Sequence, residues 1–348
     1  MAHGTTVDTT INTEELAQAI LETIDRERER EIVARRFGLF DRKETLEQIG
    51  ELLGITRERV RQLEKSVISR LRASGDSGEL AKISDVQSRI SDYLEANGGL
   101  ARTTAISEAL TAENSKTDQS RIVFLASLCP NLVTINENDD FHQAVALESV
   151  GDEKSIKSKT AKLVDSIKKI GEPLTIDEIA EKTDSSDAVR IGALASTSKK
   201  LATLNGRWGL LRWPMVNPKN IRDKIYVILK EHGKHMHFNE IAEAIKDSEF
   251  KRKDVTTQAI HNELIKDKRF ILVGRGIYAL KEWGYERGTV ADIITDILKA
   301  EGAALHRDEI VKRVLKSRYV KETTILLNLQ GKSQFKRVAK ATYALDTE

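Results

Sequence analysis

Thr45–Arg72 reads TLEQIGELLGITRERVRQLEKSVISRLR, and the fold of the first part of the chain follows from it. Thr45 with Gln48 three residues later fits a capping box, and Leu46, Ile49, Leu52 and Leu53 recur at helical spacing until Gly54 stops the run. Thr56 then caps a second helix. Two helices separated by so short a turn cannot part, so the stretch is expected to be a helix-turn-helix.

At about 100° per residue, Val60, Leu63, Val67 and Leu71 of the second helix share one narrow arc. Arg57, Glu58, Arg61 and Gln62 lie on the opposite side. These outward residue types can read base edges in a major groove. A guanidinium pairs bidentately with guanine, Gln pairs with adenine, and Glu accepts from the cytosine amino group. Any amphipathic helix carries charge outside, so composition alone does not decide; here the order of residues is also informative.

Helix one, GELLGIT and RERVRQLEKSVISRLR closely resemble region four of the primary bacterial sigma factors, and the likeness extends back through Arg28, Glu29 and the ARRFGL run from Ala34 to Leu39. In that family the helix-turn-helix binds the upstream promoter hexamer. The resemblance implies base contacts from Arg57, Glu58 and Gln62, with Arg61 beside them. It implies backbone contacts from Arg28 and Arg36, and a phosphate facing the helix N-terminus at Thr45. It also implies RNA polymerase as a partner, held by the apolar outer surface near helix one and by a stripe at Leu16, Ala17, Ile20, Leu21 and Ile24. About 25 residues precede the matching stretch, too few for the aromatic-rich region with which sigma factors capture melted promoter bases, so promoter melting is not expected of this sequence.

Charge is distributed unevenly along the chain. The net charge of +2 hides −5 over residues 1–25, +4 over 26–72, −4 over 73–215, +4 over 216–288 and +3 over 289–348. Nucleic-acid contact is therefore expected near the start and in the last third, with the acidic middle suited to spacing or protein contact. ASGDSG, after Arg72, reads as a linker.

Beyond it the chain repeats. Gly98, Gly171, Gly233 and Gly302 are anchors spaced by 73, 62 and 69 residues. Each has Leu or Ile four residues before it (Leu94, Ile167, Leu229, Leu298) and Ile eight after (Ile106, Ile179, Ile241, Ile310). A helix ending at the glycine, a short extended link, two more helices and a β-rich end make a winged helix, four times over. The third copy, with HFNEIAEAI at His237–Ile245 and GRGIYALKEWG at Gly274–Gly284, resembles the HARE-type winged helix of the RNA polymerase delta subunit and of various DNA-modifying and chromatin-associated proteins. The fourth looks like a shorter relative.

The expected architecture is mainly α: a disordered N-terminus at 1–12, a sigma-like helix-turn-helix at 13–73, and winged helices at 79–150, 155–215, 219–284 (HARE-type) and 288–348. Lys251, Arg252 and Lys253, at the start of the third helix region of copy three, and Lys266, Lys268 and Arg269, leading to its wing, are candidates for phosphate contact.

Other chemistries find little support. His232, His235 and His237 lack a Cys or clustered carboxylates to complete a metal site, and no cofactor or small-molecule substrate is implied. Cys129, the single cysteine, sits in apolar VFLASLCP and reads as a buried hydrophobe. Trp208, Trp213 and Trp283 are expected in wing strands, closing small cores. The Asp177/Glu178 and Asp308/Glu309 pairs fit first helical turns, and no phosphate loop, GxSxG elbow or HExxH occurs, so no enzyme is expected. With no membrane-length apolar run and no signal-peptide pattern, a cytoplasmic location is expected. The expected function is a sigma-factor-like, sequence-specific transcription factor that binds duplex DNA at promoters with RNA polymerase; the alternatives are an accessory DNA-recognition subunit of a restriction, modification or defence system and a protein-interaction scaffold.

Overall fold

A computed structural model describes residues 10–76, 81–185 and 187–346. The expected disorder of residues 1–9 lies outside them; Ile11, by contrast, is buried, its N–H donating to the Leu110 carbonyl. The described residues form two compact units, one running to Leu211 and the other starting at Arg212.

The first unit opens with α1 (Thr13–Glu22), α2 (Glu27–Phe37), α3 (Leu46–Leu53) and α4 (Arg57–Asp76). The Thr45–Gln48 capping box forms as its spacing predicts, and Gly54 closes α3 in the left-handed conformation at φ +64°. Gly50 is required by the tight turn, because a Cβ there would lie 2.7 Å from the Ile55 carbonyl oxygen. Ile32, Ile49 and Val60 form the small core that fixes α2, α3 and the first turns of α4 against one another. The ASGDSG stretch is not a linker throughout, since α4 continues to Asp76.

Four modules of one topology follow. The first contains α5 (Ala81–Ala96), β1 (Leu100–Arg102), α6 (Thr103–Leu110), α7 (Lys116–Leu128), β2 (Leu132–Ile135) and β3 (Ala144–Leu147). The second contains α8 (Glu153–Ile170), β4 (Leu174–Thr175), α9 (Ile176–Lys182), α10 (Ala188–Thr197), β5 (Leu201–Leu204) and β6 (Arg207–Leu210). The second unit holds the other two. One runs through α11 (Ile221–His232), β7 (Met236–His237), α12 (Phe238–Asp247), α13 (Thr257–Lys266), β8 (Phe270–Gly274) and β9 (Ile277–Leu280). The other runs through α14 (Val290–Glu301), β10 (Leu305–His306), α15 (Arg307–Ser317), α16 (Glu322–Gly331), β11 (Phe335–Ala339) and β12 (Thr342–Leu345).

In every module the third strand lies between the first and second, all antiparallel, which is the winged-helix arrangement. The anchor glycines explain the period. Gly171, Gly233 and Gly302 are left-handed C-caps that stop the first helix of their modules. The second helices start as the sequence indicates; Glu178, for example, closes a capping box with Thr175.

The helix-turn-helix does not stand apart from the first winged helix. One continuous core joins Ala17, Ile20, Leu21 and Ile24 of α1, Val33 of α2 and Val67 and Leu71 of α4 to α5, α6 and α7. The apolar stripe expected for a polymerase is therefore occupied within the chain, where Leu16 packs against the same core. Polar contacts follow the same seam: the Arg121 guanidinium, 7% exposed, donates to the Leu39 carbonyl at 2.7 Å and pairs with Glu14 at 2.9 Å. Cys129 lies fully buried in this core, and burial pushes its thiol up to about 12. Among the described residues no helix is long and apolar enough to cross a membrane.

Candidate nucleic-acid interface

Arg57, Glu58, Arg61 and Gln62 are all exposed on α4, while Val60 between them is fully buried. Helical geometry thus gives the first two turns of α4 one face for the core and one row of polar ends for solvent. The ends are connected to one another. Arg57 reaches across the turn to Glu47 of α3 at 2.9 Å, and Arg61 forks onto Glu58 with N–O distances of 2.7 and 2.9 Å. Gln62 donates to the same Glu58 carboxylate at 3.4 Å, and Arg59, which the sequence reading passed over, donates to Gln62 at 3.5 Å.

The Arg61 side chain holds Glu58 below the usual carboxylate range, and the Arg57 side chain does the same for Glu47. Both carboxylates therefore stay ionised and acceptor-only at neutral pH. Exposed pairs of this kind contribute little to stability and are readily exchanged for other partners. The row is ordered but available.

The other expected contacts of this segment are more deeply engaged with the protein. Arg28, exposed on α2, donates to the Leu53 carbonyl at the C-terminus of α3. Arg36 is half-buried; it pairs with Glu64 of α4 at 3.3 Å and donates to the Glu44 carbonyl at 3.3 Å. These arginines brace the three helices. Thr45 is exposed at the N-terminus of α3, its hydroxyl accepting from the Gln48 N–H and its own N–H donating to the Gln48 side chain.

In the second unit Lys251, Arg252 and Lys253 are exposed, but they form the turn before α13 rather than the start of that helix. Arg252 adopts φ +56°, and the buried Lys224 ammonium holds the turn by donating to the Lys251 and Arg252 carbonyls at 2.9 and 2.6 Å. Lys266, at the far end of α13, and Lys268, just after it, are exposed. Arg269 is drawn inward instead, paired with Asp267 at 2.8 Å and Asp223 at 3.2 Å and lying over the Tyr226 ring. Of the three tryptophans only Trp208 lies in a wing strand; Trp283, in the turn after β9, packs on a small core of Ile271, Val273 and Ala279. The histidines have local roles: His237 accepts from the Asn239 N–H at the start of α12, and His235 packs on Tyr319 with ring centroids 4.0 Å apart.

Residues 26–73 match the family described as Sigma-70, region 4, so this segment is a helix-turn-helix of that type. RNA polymerase sigma factor RpoD of Helicobacter pylori is 47% identical over 58 residues, which cover 16% of this chain and 8% of that protein. RNA polymerase sigma factor SigA of a Bacillus species is 38% identical over 82 residues, 23% of this chain and 19% of that protein. The chain thus spans less than a fifth of the length of these curated relatives.

Proposed function

We propose that this protein is a sequence-specific DNA-binding transcription factor that reads duplex DNA at promoters through α4 and works with RNA polymerase. One observation carries the reading: Arg57, Glu58, Arg61 and Gln62 form an exposed row on the second helix of a segment that matches sigma region four. In the major groove Arg57 and Arg61 suit guanine, Gln62 suits adenine and Glu58 suits the cytosine amino group. Thr45, Arg28 and Arg36 would set register on the phosphates, the two arginines exchanging their protein carbonyl and carboxylate partners for phosphate oxygens.

With the Leu16 stripe committed to the core, a polymerase contact falls to exposed apolar residues of the segment, Phe40 and Leu52, which are 49% and 55% exposed. The third module, read as HARE-type, offers Lys251, Arg252, Lys253, Lys266 and Lys268 for sequence-neutral phosphate contact, its turn shaped by Lys224. The reading involves no catalytic step and places the protein in the cytoplasm, where its DNA lies.

The scaffold reading is favoured by a different observation and applies to a different part of the chain. The third helices of the first two winged helices are buried in packing, so those modules act as protein mounts. Selection of bound duplexes from a random pool tests the main reading. Enrichment of one motif resembling an upstream promoter hexamer is expected, and a pool that stays random would overturn it. Purified polymerase should be retained by the wild type and released by Leu52→Asp.

A further inference from the structure

The four hairpins share one topology and differ in what surrounds them. The loop of the first, residues 136–143, carries Glu137, Asp139 and Asp140 and folds onto the second module. Phe141 bridges to Ser198, the His142 N–H donates to the Thr197 carbonyl at 2.9 Å, and Lys199 pairs with Glu137 at 2.6 Å. The second has a short Asn205–Gly206 tip, and its one cation, Arg207, turns back to the Pro173 carbonyl at 3.4 Å. The third is covered on its β8 edge by the fourth module: the Tyr319 N–H donates to the Val273 carbonyl at 3.2 Å, and Arg318 donates to the Leu272 carbonyl.

The fourth hairpin is different. Past buried Phe335, every residue of β11 and its turn through Lys340 is exposed, and Val338 stands out at a bulge with 51% exposure. Residues 332–341, KSQFKRVAKA, hold Lys332, Lys336, Arg337 and Lys340 and no acid. Asp346 approaches Lys336 only to 3.9 Å. Such a concentration of like charge repels itself unless an anionic partner lies against it. The turn of the hairpin is held in place, because the Arg307 N–H donates to the Ala341 carbonyl at 2.7 Å.

We infer that the hairpin of the fourth winged helix grips the phosphate backbone of duplex DNA through Lys336, Arg337 and Lys340, as a sequence-neutral contact separate from α4. Adjacent strand residues point to opposite faces, so Lys336 and Arg337 lie on the two sides of β11, the outer strand of its sheet, with Lys340 at the turn, where exposed cations can meet phosphates without base contact. The helix beside it contributes no base-reading cation; α16 presents Thr323, Thr324 and Leu327 to solvent. The contact therefore adds affinity and leaves sequence preference to α4.

The test uses the full chain and a duplex unrelated to any selected site, so its outcome does not depend on base reading by α4. The logarithm of affinity is followed against the logarithm of salt between about 50 and 200 mM for wild type and for Lys336→Ala/Arg337→Ala/Lys340→Ala. The slope should become shallower by about 2 to 3, and affinity at low salt should fall roughly tenfold or more. An unchanged thermal midpoint will show that the fold survives, and Lys336→Arg/Lys340→Arg should retain the wild-type slope. An unaltered slope in the triple variant, or a loss seen on an RNA hairpin and not on the duplex, overturns the inference.

Discussion

The two units use the third helix of a winged helix in opposite ways. In the first, α7 buries Arg121, Ile122, Phe124, Leu125, Ala126 and Leu128, facing its own module on one side and α1, α2 and α4 on the other. Likewise α10 buries Ile191, Ala193, Leu194, Ala195 and Thr197 and lies against β1 of the preceding module. In the second unit α13 buries only Ile260 and Leu264, and α16 only Ile325 and Leu329, one position per turn. A helix apolar all round is an interior element, whereas one with a single apolar stripe keeps a face for something else. Topology alone therefore does not give a winged helix its role; what covers its third helix and its hairpin does.

The comparison can be broken most forcefully at Phe124, which is fully buried and packs edge-on against Phe37 of α2 with centroids 5.2 Å apart. Phe124→Ala should cost about 3–5 kcal/mol in denaturant unfolding and lower the midpoint of the helix-turn-helix together with that of the first module. If the two melt independently, the shared core is wrong. Arg121→Met removes the side-chain donor to the Leu39 carbonyl and the ion pairs with Glu14 and Asp118, and should cost about 1–3 kcal/mol by the same measurement.

Glycines sharpen the contrast. Gly98 has φ +80°, and a Cβ there would lie 2.8 Å from the backbone of Arg190 on α10, while Gly302 has φ +66° with open space around it. Gly98→Ala should therefore cost about 2–3 kcal/mol and loosen the seam between the first two winged helices, against about 1 kcal/mol for Gly302→Ala. Calorimetry of the two variants compares them directly.

A smaller effect is expected from acid. Desolvation raises the Asp118 carboxyl, but the hydroxyls of Ser115 and Thr13, the Ser115 N–H and the Arg121 charge together outweigh it and hold the group below its ordinary value. Its stabilising contribution is present above the unfolded value near 4 and is lost as pH falls through the folded one. The stability gap between wild type and Asp118→Asn should close as pH drops below about 4. Smallest of all, Leu327→Ser on the exposed face of α16 should change stability by less than about 0.5 kcal/mol, a result that a buried α16 would contradict.

What was legible in the sequence was local. The capping box at Thr45, the left-handed stop at Gly54 and the repeated glycine C-caps each depend on residues within a turn of one another, so order alone reveals them. The exposed row on α4 follows from the same periodicity. The packing of modules was not legible, because it depends on which apolar face meets which: the α1 stripe serves the first winged helix, and Arg36 and Arg269 serve carboxylates of their own modules. A signal existed at Ile122–Leu125, where four apolar residues in succession leave no polar face for DNA. Another lay in FKRVAKATY at Phe335–Tyr343, whose cations interrupt the apolar alternation of a packed strand.

The central claim is that α4 reads base sequence, and the most direct measurement is the ratio of affinities for the selected duplex and a scrambled one, at fixed salt, for wild type and Arg57→Ala/Gln62→Ala. The variant should lose about 2–6 kcal/mol of discrimination, from two base contacts at about 1–3 each, while binding the scrambled duplex nearly as before. A ratio that survives both substitutions would contradict the account.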